Sequence, residues 1–229
     1  MRLLFTKMDK LLASLRISIS NSTYKKDPES SDLGKKIIEE SILMIDSEGF
    51  ESFTFKKLGD QIQSNESSIY RYFENKHKLL LYLCSWYWGW IEYNLVLSCF
   101  SISDPKEKLF KAIEIISREV CEDSTFTFIN EPALFRIIIN ENAKSFLTKK
   151  VDEENKQGGF ESYKRLINRL NEMILGVCPT YPFAKSLANS IVEISLNQYF
   201  VRDHFKSITD KNYTTPKDFI LDLVQKTLV

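Results

Sequence analysis

Four of the six prolines in this chain, Pro105, Pro132, Pro182 and Pro216, each stand near the head of a run in which apolar residues recur every three or four positions. A proline there forfeits no backbone hydrogen bond, whereas inside a helix it would break one. Only 7 Gly occur in 229 residues, too few turn formers for a meander of short strands. The pattern predicts an all-α chain of long helices with short connections. Helices are expected near 105–122, 132–146, 159–177, 182–205 and 216–228.

Several function classes drop out. The longest apolar stretch, around Leu79 to Leu97, is interrupted by Glu92 and Asn94, so no run reaches the roughly 18 residues of a membrane span. Cys84, Cys99, Cys121 and Cys178 have no CxxC spacing, and His77 and His204 are the only histidines. No metal site is expected, and the cysteines read as reduced core residues of a cytoplasmic protein. MRLLF is broken by Lys7, Asp9 and Lys10 before it could serve as a secretory signal, and Met8 is an alternative start. There is no phosphate-binding glycine loop, no GxSxG and no HExxH. Gly158-Gly159 reads as a loop and the acids Glu153 and Glu154 as part of a charged turn. No catalytic residue, enzymatic activity or cofactor is expected.

Leu4, Met8, Leu11 and Leu15 are spaced as one face of a short amphipathic helix, followed by a polar linker with Pro28. Residues 1–31 thus form an extension. It serves either as a docking arm or as a DNA-contacting arm through Arg16, Lys25 and Lys26. Ile38, Ile42 and Ile45 mark a first firm helix from Leu33 to Glu48, with Asp32 as its cap. Thr54 caps a second, ending near Ile62; Asn65 caps a third, Glu66 to Phe73; a fourth starts after Asn75 and runs to about Phe100. Two short helices joined by a polar turn make a helix-turn-helix, placed at residues 32–80.

The charges around this unit break a local rule. Lys56 and Lys57 fall in the first turn of the second helix, and Lys76, His77 and Lys78 in the first turn of the fourth. Cations at the positive end of a helix cost about 0.3–1 kcal/mol each. A nucleic-acid phosphate would compensate, because it meets both the bases and the free backbone amides. Lys56, Lys57, Tyr70, Tyr72 and Lys76 are therefore expected on phosphates. On the third helix, Ser67, Ser68 and Arg71 turn away from the packed Ile69 and Phe73 and are expected nearest the bases, where arginine can read a guanine edge. Glu66 either favours the helix dipole or accepts from a cytosine amino group.

These residues resemble the tetracycline-repressor (TetR) family of bacterial transcriptional regulators. The resemblance is carried by Gly49-Phe50, Thr54, Leu58-Gly59, Ile69-Tyr70-Arg71-Tyr72-Phe73, Lys76 and Leu79-Leu80. It covers about residues 33–80; beyond Leu80 only length and helical character agree. Where the family's turn has glycine, this chain has Gln63. The resemblance implies a homodimer with an N-terminal DNA-binding domain and, at 81–229, a helical effector-binding and dimerisation domain. Its partners would be a double-stranded operator and a small-molecule effector that releases it. A helical ligand-binding or interaction module with degenerate DNA binding is the alternative.

Two further expectations concern that second domain. Phe183, Leu187, Ile191, Ile194 and Val201 align beside a strip of Ala184, Ala188 and Ser195, while Phe219, Leu223 and Thr227 align beside Ile220 and Val224. Helices near 182–205 and 216–228 can thus pair across a two-fold axis. In SWYWGW, Trp86 and Trp90 share a face with Tyr93, while Trp88 lies nearly opposite. The rings either fill the core or line an effector pocket of Trp86, Trp90, Tyr93 and Asn94 with a gap at Gly89.

Overall fold

The computed structural model describes residues 16–121, 126–210 and 215–228, and these residues contain ten α-helices and no strand. The chain order is α1 (Asp32–Glu48), α2 (Phe55–Ile62), α3 (Glu66–Tyr70), α4 (Lys76–Cys99), α5 (Pro105–Ser117), α6 (Glu131–Phe146), α7 (Val151–Lys156), α8 (Glu161–Val177), α9 (Ala184–His204) and α10 (Lys217–Leu228). The amphipathic stretch expected before Arg16 lies outside the described residues. No helix among those described is long and apolar enough to cross a membrane.

Helix starts follow local capping chemistry. Ser31, not Asp32, caps α1: its Oγ accepts from Gly34 N, while Asp32 already belongs to the helix. Thr54 and Asn65 cap α2 and α3 by accepting from Lys57 N and Ser68 N. Gln63 takes the left-handed conformation, φ 55°, where the TetR pattern places glycine. The turn therefore keeps its geometry at a local steric cost. At Gly59 a Cβ would lie 2.8 Å from the carbonyl oxygen of Ser64, so only glycine lets α2 and the turn approach this closely. Helix α3 is shorter than expected. It stops at Tyr70, and Arg71 to Phe73 close a turn with Tyr72 N and Phe73 N both donating to Ile69 O.

Helix α4 organises the rest. Every residue from Leu79 to Glu92 is buried, so it runs through the middle of the molecule with α5, α6 and α8 packed around it. One continuous apolar core extends from Ile37 on α1 to Val224 on α10. The boundary drawn at residue 80 falls inside α4, which makes this helix a single rod shared by both parts. The helix α7 replaces the charged turn expected around Glu153 and Glu154. Of the cysteines, Cys84 and Cys99 are buried, Cys178 is half-buried and Cys121 is exposed, so the core reading fails for Cys121.

The segment 16–31 packs as an arm. Lys25 N donates to Tyr72 O at 2.7 Å, Tyr82 donates to Glu29 at 3.0 Å, and Ser20 reaches Gln157 O. Arg16 pairs with Asp27 and Glu29, and Lys26 lies on Tyr72. These contacts support the docking reading of this segment.

Candidate nucleic-acid interface and ligand cavity

On the outer surface of the helix-turn-helix, Lys56, Ser67, Tyr70 and Arg71 are exposed. Tyr70 is held by an edge-to-face contact with Phe55 at 5.1 Å. Asn65 Oδ1 accepts three hydrogen bonds, from Ser68 N at 2.8 Å and from the hydroxyls of Ser67 and Ser68 at 2.7 Å. With its proton committed inward, Ser67 presents lone pairs outward and suits a donor such as a base amino group. Lys56 makes no ion pair among the described residues.

Four expected contacts are placed differently. Ser68 is buried and its hydroxyl also receives Arg71 Nη2 at 3.5 Å, so it supports the exposed face of α3 from beneath. Tyr72 is buried, with its hydroxyl bonded to Ser31 at 2.8 Å and Lys26 at 3.3 Å. Lys57 bonds Glu48 and Ser52 O, each at 2.8 Å. Lys76 turns inward and donates to the carbonyls of Phe50, Glu51 and Phe53 at 2.9–3.2 Å, over the Phe50 ring. The cost of cations at two helix starts is thus offset partly inside the fold: Lys76 ties together three carbonyls of the α1–α2 turn.

A cavity of about 390 Å³ lies between α4, α6, α7, α8 and α9. Its lining includes Trp88, Asn142, Phe146, Asn155, Phe160, Tyr163, Asn189 and Glu193. None of the four residues expected to form a pocket takes part. Trp86 and Trp90 stack at 6.3 Å in the core, with Phe126 5.0 Å from Trp86. Tyr93 borders a shallow surface depression beside Arg165 and Arg169, and Asn94 is half-buried away from the cavity. Trp88, on the opposite side of α4, is the tryptophan that walls the cavity. The gap at Gly89 is filled too: a Cβ there would lie 2.4 Å from Ile17 Cγ2 of the arm.

The helices lining the cavity also hold the helix-turn-helix unit. From α6, Arg136 binds Asp46 of α1 at 2.6 and 2.9 Å, and Glu141 Oε1 accepts from Phe50 N at 3.1 Å. From α7, the buried Glu154 receives His77 and Lys78 of α4, each at 3.0 Å. Burial alone would raise the Glu154 carboxyl, but these two partners outweigh it and hold it below the ordinary carboxylate range. Cavity wall and anchor are therefore neighbours on the same helix: Asn142 next to Glu141, and Asn155 next to Glu154.

Residues 37–83 match the family model described as bacterial regulatory proteins, tetR family. No curated protein matches the chain. Among solved structures, a tetR-family regulatory protein from Rhodococcus RHA1 is similar at TM-score 0.59 and 13% identity, over 86% of this chain and 96% of that one. The fatty acid degradation regulator FadR from Bacillus halodurans is similar at TM-score 0.57 and 18% identity, over 89% and 96%. AibR, solved with isovaleryl coenzyme A and operator DNA, is similar at TM-score 0.54 and 15% identity, over 85% and 98%.

Proposed function

We propose that this chain, whose residues 37–83 match the tetR family of bacterial regulatory proteins, is a DNA-binding transcriptional repressor released from its operator by a small molecule. One observation carries the reading: the cavity is walled by α6 and α7, whose adjacent residues Glu141 and Glu154 hold Phe50 at the α1–α2 turn and the first turn of α4. A ligand that displaces those walls shifts the helix-turn-helix relative to the rest. AibR, solved with both isovaleryl coenzyme A and operator DNA, supports a chain of this fold taking both kinds of partner.

Two copies act together, each placing α3 in the major groove of one half-site. The pairing surface is the exposed flank of the last two helices. Leu187, Ile191, Ala184, Ala188 and Ser195 face their own core, which corrects the stripe expected to pair. Phe183 and Phe219 are exposed and Ile194 and Leu223 half-buried, leaving an apolar face for the second copy.

Within this function Lys56 and Tyr70 contact phosphates, and Ser67 and Arg71 read bases. Gel-shift and footprinting on DNA flanking the gene test it. Arg71→Ala is expected to relax specificity at one base pair by about 1–3 kcal/mol, while Lys56→Ala weakens all sequences alike and lowers the salt slope by about one unit. Equal loss of specificity in both variants, or salt-independent binding, would refute the assignment. Gly59→Ala is a sharper probe of the turn: circular dichroism should show near-normal helix content while operator affinity falls roughly tenfold or more, because the added Cβ pushes Ser64 and the α3 cap away from α2.

A further inference from the structure

We propose that the cavity takes an organic cation, an amine or quaternary ammonium carried on an apolar body. The inference rests on reading this cavity as the effector site, and it adds the chemical class of the effector. Four aromatic side chains, Trp88, Phe146, Phe160 and Tyr163, stand in the lining. Trp88 and Tyr163 meet edge-to-face at 5.2 Å and 66°, so their planes form two walls of a corner. Such a corner attracts a positive charge through the negative faces of the rings, most strongly when the charge is desolvated.

Glu193 adds a full negative charge to the same lining. Tyr163 Oη lies 2.7 Å from Glu193 Oε1 and 2.9 Å from Asn189 Oδ1. Burial first, and Glu193 second, push the Tyr163 phenol far above its usual range. Tyr163 therefore stays protonated and remains a donor to the carboxylate. Among the described residues Glu193 has no lysine or arginine partner. The cation in the lining, Lys164, pairs with Glu161 at 3.1 Å. A half-buried carboxylate beside aromatic walls, held by a phenol and with no lysine or arginine in ion-pair contact among the described residues, favours a cationic guest. A carboxylate guest would meet Glu193 as a like charge.

The test is calorimetric titration of the full chain with benzyltrimethylammonium, its neutral isostere neopentylbenzene and 3-phenylpropionate, alongside operator gel-shift. The cation is expected to bind best. Glu193→Gln, which keeps an acceptor for Tyr163, should weaken it at least about tenfold and leave the neutral compound unchanged. Trp88→Phe, a second variant that keeps a ring at the wall, should weaken the cation more than the isostere. Melting curves of both variants confirm that they fold. The proposal is overturned if the isostere or the carboxylate binds as well as the cation, if Glu193→Gln leaves the preference intact, or if the cation does not bind. Cation binding that leaves operator affinity unchanged upholds the ligand class and refutes the effector role, so the two readings fail separately.

Discussion

Lys76→Ala is expected to lower the melting temperature by about 6–12 °C, and to lose operator affinity only as a consequence. The ammonium donates to the carbonyls of Phe50, Glu51 and Phe53 and lies 4.8 Å from the Phe50 ring centroid. Hydrogen bonds from a charged donor contribute about 1.5–3 kcal/mol. Because Lys76 is half-buried and one ammonium serves all three carbonyls, a total near 3 kcal/mol is a sounder sum than three full bonds. At about 2–4 °C per kcal/mol for a chain of this size, the stated fall follows. Lys56, exposed and without an ion pair among the described residues, is the control: Lys56→Ala should leave the melting curve in place. Scanning calorimetry of the two variants decides between an internal staple and a phosphate grip. An unchanged melting temperature for Lys76→Ala, with affinity lost, would return Lys76 to the DNA surface.

Substitutions on the two sides of α9 and α10 should fail in opposite ways. Ile191 is 1% exposed and packs in its own subunit's core. An aspartate there buries an unpaired charge at a cost of about 3–5 kcal/mol, so Ile191→Asp should unfold the chain roughly 10 °C or more below the parent. Phe219 and Leu223 occupy the outer flank of α10, with Phe219 45% exposed. The double variant Phe219→Asp, Leu223→Asp should stay helical but sediment as a monomer, its dissociation constant raised on the order of 100-fold. A folded double variant that still sediments as a dimer would move the interface elsewhere.

The helix-turn-helix was legible in the sequence because its determinants are local. Thr54 and Asn65 stand beside the helices they cap, and Ile69 and Phe73 repeat at helical spacing. Even so, sequence placed Lys76, Tyr72 and Ser68 outward, since the partners that turn them inward are the carbonyls near Phe50, Ser31 of the arm and the Asn65 cap. The cavity was far less legible. Its walls come from five helices, and Trp88 and Tyr163 lie 75 positions apart. Periodicity set Trp86 and Trp88 on opposite sides of α4 correctly. It contained nothing to say which side would meet α8 and which would be closed by Phe126. Gly89 was likewise read as a gap for a ligand, whereas Ile17 of the arm occupies it. The helix α7 was missed because Val151–Lys156 is short and mostly charged, and its placement depends on Glu154 finding His77 and Lys78.

The paired anchors on α6 and α7 carry a thermodynamic obligation. If a guest in the cavity weakens the grip on the operator by some factor, the operator must weaken the grip on the guest by that same factor. Copies sitting on DNA are then the poorest binders of the signal, and free copies the best. The concentration at which a cell responds is set jointly by the guest and by the number of operator sites competing for the protein, so adding sites in multicopy should shift the response to higher dose without any change in the protein itself.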